Sequence, residues 1–253
     1  MEGLKERAYA GEKLYGTMVC VFDTPDIAKM LQVCGFDFFV IDGEHGYFDD
    51  SRMAAMLLTA KLAGIPAIVR VARPQREIII KYMEMGAAGL LLPNTETVEQ
   101  AKMLIEYSKY AKLGNRGVAL TKAHTLYEPV KAVEYMEKAN KETVLMVQIE
   151  SPEGVRNIND IMALEGIDCA FIGPNDLSQS LGIMGQFDNP ILIEAIEKVI
   201  TSAKAHSKFS GIHMGDVGKV KGWIEKGMNF NLWSADTVLM MSAARAGLKE
   251  FRG

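Results

Sequence analysis

Eight times along the chain, a short apolar run stops at polar residues and is followed by a segment with the composition of a helix. A short run of apolar and β-branched residues that ends at Pro, Gly or Asp is typical of a strand buried in a parallel sheet. Alternation of such strands with helices predicts an α/β fold, and eight pairs in about 250 residues predict a (β/α)8 TIM barrel. We therefore predict one barrel domain over residues 1–253.

The predicted elements are joined by short connections, with one exception. We expect strands at residues 15–22, 36–42, 66–71, 89–93, 144–150, 169–172, 209–213 and 230–233. We expect helices at residues 24–33, 50–63, 74–85, 95–107, 129–140, 216–226 and 235–250, with a polar helix between residues 150 and 169. The exception is an inserted segment at about residues 109–142, which is about twice as long as a usual connection. We expect it on the catalytic face, as a lid or a subunit contact.

Two carboxylates stand at the carboxyl ends of neighbouring predicted strands. Glu150 ends the strand VLMVQIE, and Asp176 follows the strand CAFI after a Gly-Pro-Asn turn. Because the carboxyl ends of parallel strands converge on one mouth, the two side chains form a candidate divalent-cation pair, with Gln148 on the same strand face as Glu150. Each carboxylate taken singly has an alternative role as a helix N-cap, since each stands where a strand passes into a helix.

The ligands at the mouth indicate which metal the site would bind. The histidines His45, His124, His206 and His213 show no HxH or HxxxH spacing, so a three-histidine zinc site is not expected. Carboxylate oxygens suit Mg²⁺ or Mn²⁺, and two carboxylates leave about four octahedral positions for substrate and water. No predicted strand ends in Lys, which argues against an aldolase that forms a lysine imine.

The ends of the second and third strands supply the candidate catalytic residues. Arg70 ends an apolar run and needs an anionic partner, because an unpaired buried guanidinium is costly. That partner is either a carboxylate of Asp42, Glu44 or Glu84, or an oxyanion that develops on the substrate. His45 carries an imidazole, the side chain most often used in acid/base catalysis, and is a candidate acid/base if Asp42 or another carboxylate orients its ring. An ordinary surface position is the alternative for His45.

Composition argues against several classes of function. The chain has a formal charge of −4 and no basic cluster, so we expect no nucleic-acid partner. No apolar run reaches the roughly 18 residues of a membrane span, and the N-terminus lacks an apolar export signal, so we expect no membrane association. Cys20, Cys34 and Cys169 lie in apolar runs without CxxC spacing, which is typical of reduced thiols in a cytoplasmic protein.

Six ordered motifs, which span nearly the whole chain, resemble one known family. They read FDFFVIDGEHGYFD, VRV, EMGAAGLLLPNTETVEQAK, GNRGV, VQIESPEGV and FIGPNDLSQSLG. Together they resemble the HpcH/HpaI aldolases, the metal-dependent class II pyruvate aldolases of the phosphoenolpyruvate/pyruvate barrel group. The resemblance implies reversible retro-aldol cleavage of a 4-hydroxy-2-oxo acid to pyruvate and an aldehyde. The reaction would pass through a pyruvate enolate bound to Mg²⁺, Mn²⁺ or Co²⁺.

The resemblance also implies roles for individual residues. Glu150 and Asp176 bind the metal, and His45 acts as acid/base with a metal-bound water. Arg70 contacts the keto oxygen of pyruvate, and the backbone N–H groups of Asn175 and Asp176 receive its carboxylate. The implied substrate-binding residues are Gln148, Gly173, Pro174, Asn175 and Arg70. The resemblance further implies a homo-oligomer, a hexamer built from dimers with the last helix exchanged between neighbours.

Three positions depart from the family pattern. Glu84 stands where relatives carry the Asp that partners the catalytic histidine, so we expect a Glu84–His45 dyad with one extra methylene. Val19 stands where some relatives have Trp, and His213 stands where relatives have an aliphatic residue; we expect both to face the acceptor aldehyde. Two other functions stay open, a citrate-lyase-like cleavage of acyl-CoA thioesters and a non-catalytic barrel that binds 2-oxo acids.

Overall fold

Eight parallel strands, each paired with the next, close into a barrel. The computed structural model describes residues 3–253. The strands are β1 Leu14–Val19, β2 Phe38–Asp42, β3 Ala67–Arg70, β4 Gly89–Leu92, β5 Val144–Ile149, β6 Cys169–Ile172, β7 Phe209–Met214 and β8 Phe230–Ala235. The predicted (β/α)8 barrel is confirmed, and each strand lies close to its expected bounds.

Helices surround the barrel and connect its strands. They are α1 Leu4–Tyr9, α2 Ile27–Val33, α3 Asp50–Ala63, α4 Arg76–Met85, α5 Val98–Ser108, α6 Ala132–Glu142, α7 Pro152–Met162, α8 Pro174–Ser180, α9 Pro190–Ala205, α10 Val217–Glu225 and α11 Asp236–Arg252. Helices α1 and α9 lack a predicted counterpart, and α8 is the helix that was expected to begin near Asp176. Within residues 3–253, no helix combines the length and the apolar character that a bilayer crossing requires.

The core has two layers because alternate residues of a strand point to opposite sides. The inward side chains fill the barrel, and they include Met18, Phe38, Ile68, Met146 and Phe230. The outward side chains pack against the helices in a second, larger cluster. The barrel interior is thus packed with side chains, which leaves the polar residues at the carboxyl ends of the strands to form a site at the mouth.

The inserted segment lies at the end of the barrel opposite to its expected position. It leads from α5 to β5, and it contains a 3₁₀ turn at Ala123–Thr125 and helix α6. The buried ammonium group of Lys109 anchors it by donating to the carbonyl oxygens of Asn140 at 2.8 Å and Thr143 at 2.7 Å. Because a connection that follows a helix returns to the amino ends of the strands, this segment is not a lid over the mouth of its own barrel.

Candidate active site

Asp42 and Arg70 end adjacent strands and form a buried ion pair at the mouth. Arg70 Nε donates to Asp42 Oδ1 at 2.9 Å, and Arg70 Nη2 donates to Asp42 Oδ2 at 2.7 Å. Glu44 adds a second carboxylate, with Oε2 at 3.4 Å from Arg70 Nε. The side chain of Arg70 is only 11% exposed, and that of Asp42 is 2% exposed. Of the internal partners considered for Arg70, the structure therefore supplies Asp42 and Glu44.

His45 lies on the turn after β2 with its ring open to solvent. The side chain is 71% exposed, and ring Nε2 lies 3.8 Å from Glu44 Oε2. The backbone N–H of His45 donates to Asp42 Oδ1 at 3.1 Å. Glu44, rather than Asp42, is therefore the carboxylate beside the imidazole, while Asp42 holds the turn that carries it.

Glu84 is not brought to the mouth within this chain. Helix α4 starts near the carboxyl end of β3 and runs back towards the amino ends of the strands, and Glu84 lies in its last turn. The Glu84 carboxylate accepts a hydrogen bond from Lys122 Nζ at 2.5 Å, and its backbone oxygen lies 3.2 Å from His124 Nδ1. Both partners belong to the inserted segment. The expected Glu84–His45 dyad is thus not formed in the described chain.

Glu150 is fixed by hydrogen bonds at the end of β5. Its side chain is buried, Oε1 accepts from the backbone N–H of Asn94 at 2.7 Å, and Oε2 accepts from Gln148 Nε2 at 2.6 Å. Ser151, not Glu150, caps α7, by accepting from the backbone N–H of Gly154. The helix-cap alternative for Glu150 is therefore not realised.

Asp176 lies in the first turn of α8 and completes an acidic cluster with Glu150 and Glu44. Gly173 precedes this helix, and no side chain caps it. Burial is the main cause that raises the pKa of Glu150, and the charges of Asp176 and Glu44 act in the same direction. Burial also raises the pKa of Glu44. The three carboxylates therefore lie close enough to repel one another, and a cation bound by Glu150 and Asp176 would relieve that repulsion.

Two further features fit a divalent cation at Glu150 and Asp176. Gln148 Oε1 is a buried hydrogen-bond acceptor, and no protein group in residues 3–253 donates to it. A Cβ atom at Gly173 would lie 2.3 Å from Glu150 Oε2, so only glycine lets the backbone pass this close to the carboxylate. Within the described residues no group of three or more His, Cys, Asp or Glu side chains is arranged to hold a metal ion, so the chain itself would supply only two carboxylate ligands here. Substrate and water would therefore fill most of the coordination positions.

His213 lies on β7, near Arg70. Its Nε2 lies 2.8 Å from the backbone oxygen of Ser234. Burial is the main cause that lowers the pKa of His213, and the nearby positive charge of Arg70 contributes. The structure thus places a mostly buried, neutral imidazole beside Arg70, and its predicted place in the acceptor pocket stays a prediction.

Val19 does not face the mouth. It is fully buried and packs outwards, in the layer between the barrel and the helices. The inward position belongs to Cys20, which was not among the predicted site residues. Cys20 Sγ lies 3.6 Å from Asp42 Oδ2 and donates to it. Strict alternation along β1 from the inward-facing Met18 would have identified Cys20, because successive side chains point to opposite sides.

The pH dependence of folding should report the Asp42–Arg70 pair. Burial acts to raise the pKa of Asp42, but the hydrogen bonds and charge of Arg70 outweigh it and hold the pKa below its usual value. Such a carboxyl group stabilises the fold above its unfolded pKa of about 4, and this contribution is lost as the pH falls through the folded pKa. We therefore expect Asp42→Asn to destabilise the protein most near neutral pH, and the difference from wild type to shrink in acid. Urea unfolding at about pH 7 and about pH 3 measures this, and a constant difference would contradict the assignment.

This chain is similar to known proteins over most of its own length and most of theirs. Residues 18–243 match the family model for HpcH/HpaI aldolase/citrate lyase. The 5-keto-4-deoxy-D-glucarate aldolase of Shigella boydii is 33% identical over 221 residues, which cover 87% of this chain and 85% of that protein. The aldolase of the same name from Escherichia coli is also 33% identical, over 87% of this chain and 86% of that protein.

Solved structures show the same similarity. An HpcH/HpaI aldolase from Desulfitobacterium hafniense superposes with a TM-score of 0.95 at 31% identity, over 100% of this chain and 97% of that chain. The citrate synthase SbnG superposes with a TM-score of 0.88 at 28% identity, over 99% of this chain and 97% of that one. The citrate lyase beta subunit of M. tuberculosis shares the fold, with a TM-score of 0.56 at 15% identity, over 89% of this chain and 93% of that chain.

Proposed function

Since this chain belongs to the HpcH/HpaI aldolase/citrate lyase family, we propose that it is a class II, metal-dependent aldolase that reversibly cleaves a 4-hydroxy-2-oxo acid to pyruvate and an aldehyde. One observation in the structure carries this assignment. A hydrogen-bonded carboxylate, Glu150, and an exposed one, Asp176, share the barrel mouth with the buried cation Arg70. That combination can hold a cation and also stabilise a developing negative charge.

Glu150 and Asp176 would hold the metal. When bound, a divalent cation supplies Lewis-acid stabilisation of the negative charge that develops on the 2-oxo acid. The two donors are carboxylates, which favours Mg²⁺ or Mn²⁺, with Co²⁺ as a further candidate.

The turn that opens α8 would bind the carboxylate of pyruvate. The backbone N–H groups of Asn175 and Asp176 belong to the first turn of the helix, where no carbonyl of the helix can accept from them. Such N–H groups favour an anion. Pro174 starts the helix, and Gly173 lets the backbone of this turn approach Glu150 more closely than a residue with a Cβ atom could. Gln148, whose Oε1 has no hydrogen-bond partner in the described chain, would line the same part of the site.

Arg70 and His45 would share the work of breaking the carbon–carbon bond. In the cleavage direction the C3–C4 bond breaks, its electron pair moves towards the C2 oxygen, and the proton of the 4-hydroxyl group leaves as the aldehyde forms. Arg70 stabilises the C2 oxygen, a role worth about 3 to 4 kcal/mol in comparable sites. His45 takes the hydroxyl proton, and Glu44 beside it stabilises the resulting imidazolium. Protonation at C3 then gives pyruvate.

Replacing His45 with Gln should reduce turnover without destabilising the protein. The ring is exposed, so the free energy of unfolding should change by no more than about 0.5 kcal/mol. Loss of a general acid/base lowers rates by about 100- to 10,000-fold. The rate of retro-aldol cleavage and urea unfolding measure the two effects. His206→Gln is the control, because His206 bonds to Ser202 at the end of α9, away from the mouth. Equal losses of rate in both variants would contradict the role of His45.

The reaction class can be tested without knowing the aldehyde. Incubated with pyruvate in D₂O, the protein should exchange the methyl protons of pyruvate when Mg²⁺ or Mn²⁺ is present, and EDTA should stop the exchange. NMR follows the loss of the methyl signal. A folded protein that exchanges no protons with any metal would contradict the aldolase proposal. That outcome would favour cleavage of acyl-CoA thioesters or a barrel that only binds 2-oxo acids.

We also propose that the chain forms a homo-oligomer, a hexamer in which α11 packs on neighbouring subunits. The support is the apolar surface that α11 leaves exposed, with Val238, Met240 and Phe251 exposed by 47%, 51% and 91%. Light scattering of the purified protein measures its mass, and a monomer would overturn the proposal. A reducing compartment such as the cytoplasm agrees with the free thiols of Cys20, Cys34 and Cys169.

A further inference from the structure

A cavity of about 960 Å³ lies at the end of the barrel opposite to the mouth. Its walls are the inserted segment, including α6, and the residues that precede strands β2 to β5. None of the residues assigned to the metal or to the cleavage step lines it. The cavity is therefore a separate space, and its polar lining needs its own explanation.

Arg116 is the residue that the aldolase mechanism leaves unexplained. Its side chain lines the cavity and the residue is only 4% exposed, yet Nε and Nη2 are buried without hydrogen-bond partners. Within residues 3–253, no carboxylate lies within salt-bridge distance of the guanidinium, which stacks on the ring of Tyr110 at 4.7 Å. Burial lowers the pKa of Arg116, but a guanidinium stays charged in proteins. A buried cation without a counter-charge is costly, and an anion bound in the cavity beside the guanidinium would reduce that cost.

His124 also lines this cavity, and its ring has an unsatisfied nitrogen. Its Nδ1 lies 3.2 Å from the backbone oxygen of Glu84, which can only accept, so Nδ1 carries the proton of this hydrogen bond. Burial is the main cause that lowers the pKa of His124, which favours the neutral ring. Its Nε2 is then a buried acceptor without a donor. A hydroxyl group on the bound molecule would satisfy it.

The charge around the cavity also favours an anion. Among the described residues, the lining contains four cationic side chains, of Arg7, Lys61, Arg116 and Lys138, and two acidic ones, of Asp37 and Glu142. Both acids face cations, since Asp37 binds Arg7 at 2.6 Å and Glu142 lies 3.7 Å from Lys138. The positive charges of Arg116 and Lys61 are left without a carboxylate in contact.

We propose that this cavity is a second binding site, for a small hydroxylated dianion whose carboxylate or phosphate group binds Arg116 and whose hydroxyl group binds His124. A guanidinium group binds a carboxylate and a phosphate equally well in geometry, so the site is assigned to an oxyanion and the experiment below distinguishes the two. The site does not depend on the aldolase assignment, because it shares no residue with the mouth.

Titration calorimetry with L-malate and with glycerol 3-phosphate tests the site and identifies the preferred group. The titrations use the full chain in buffer that contains Mg²⁺. Arg116→Gln removes the cation, and Ala139→Phe fills the cavity from α6 while the guanidinium is kept. The control Lys141→Gln removes an exposed charge from the same helix outside the lining. The double variant Arg70→Gln/Asp42→Asn removes the cation of the mouth and leaves the cavity unchanged.

We expect at least one of the two ligands to bind with about one site per chain in the wild type, the control and the double variant. Loss of the charge-assisted hydrogen bonds should weaken this binding about 10-fold or more in Arg116→Gln, and filling the space should do the same in Ala139→Phe. If Arg116→Gln does not fold, Ala139→Phe decides. The absence of binding at millimolar concentrations, its persistence in Ala139→Phe, or its loss in the double variant would overturn the proposal.

Discussion

Asp176→Asn is expected to abolish metal-dependent turnover while the protein keeps its stability. The substitution removes one of two carboxylate ligands, and the Lewis-acid contribution of a bound metal is worth several kcal/mol, so we expect a loss on the order of 1,000-fold in rate. Asp176 is exposed, so the free energy of unfolding should change by no more than about 0.5 kcal/mol. Removing its charge also relieves repulsion of Glu150, which works against any loss of stability.

Asp176→Asn is a cleaner test of the metal site than Glu150→Gln. The oxygens of Glu150 accept hydrogen bonds from the backbone N–H of Asn94 and from Gln148 Nε2. In Glu150→Gln the new amide NH₂ group would face one of these donors, and the lost hydrogen bond would disturb the site. Pyruvate proton exchange and calorimetric titration with Mn²⁺ measure rate and metal affinity in the Asp176 variant. The control Asp160→Asn removes an exposed carboxylate of α7 away from the mouth. Full activity with unchanged metal affinity in Asp176→Asn would refute the ligand assignment.

Arg70→Gln is expected to lower both the rate and the stability, for separate reasons. Loss of a donor to the developing oxyanion should reduce turnover about 100- to 1,000-fold. Asp42, which is almost fully buried, would lose the guanidinium that it binds through two hydrogen bonds. Leaving one partner of a buried ion pair without the other destabilises a protein by about 3 to 5 kcal/mol. The single variant therefore cannot separate a role in the reaction from a role in the fold.

The double variant Arg70→Gln/Asp42→Asn separates the two roles. Replacing both charges with amides removes the unpaired carboxylate, so most of the lost stability should return, while the rate should stay low because no cation faces the substrate. Urea unfolding and the rate of pyruvate proton exchange measure the two quantities on the same samples. A double variant that recovers turnover together with stability would assign Arg70 to the ion pair alone.

The residues of the mouth were predictable because each one directly follows a recognisable strand. Arg70 ends an apolar, β-branched run. Glu150 directly follows β5, and Asp176 stands four residues after the end of β6. In a parallel barrel that position is enough to bring side chains together, whatever their separation along the chain. The direction of a single side chain was harder to predict. Val19 lies at the correct strand end, but a shift of one residue reverses the face, so Cys20 occupies the inward position.

The positions of Glu84 and of the inserted segment depend on how distant parts of the chain pack together. The motif that contains Glu84 resembles one with a catalytic acid, yet the side chain binds Lys122, which is 38 residues away. The length of the inserted segment was evident from the sequence, but its place at the far end follows from its position after a helix.

The alternation of apolar runs and the polar residue at the end of each run already specify a parallel barrel with an acidic, oxygen-rich mouth, because both signals are local and repeat along the chain. The pairing of charges is decided only in three dimensions. Asp42 binds Arg70 from 28 residues away, whereas Arg116 receives no carboxylate from the described chain. Such pairing depends on which segments pack together, and the short-range pattern of the sequence does not contain that information.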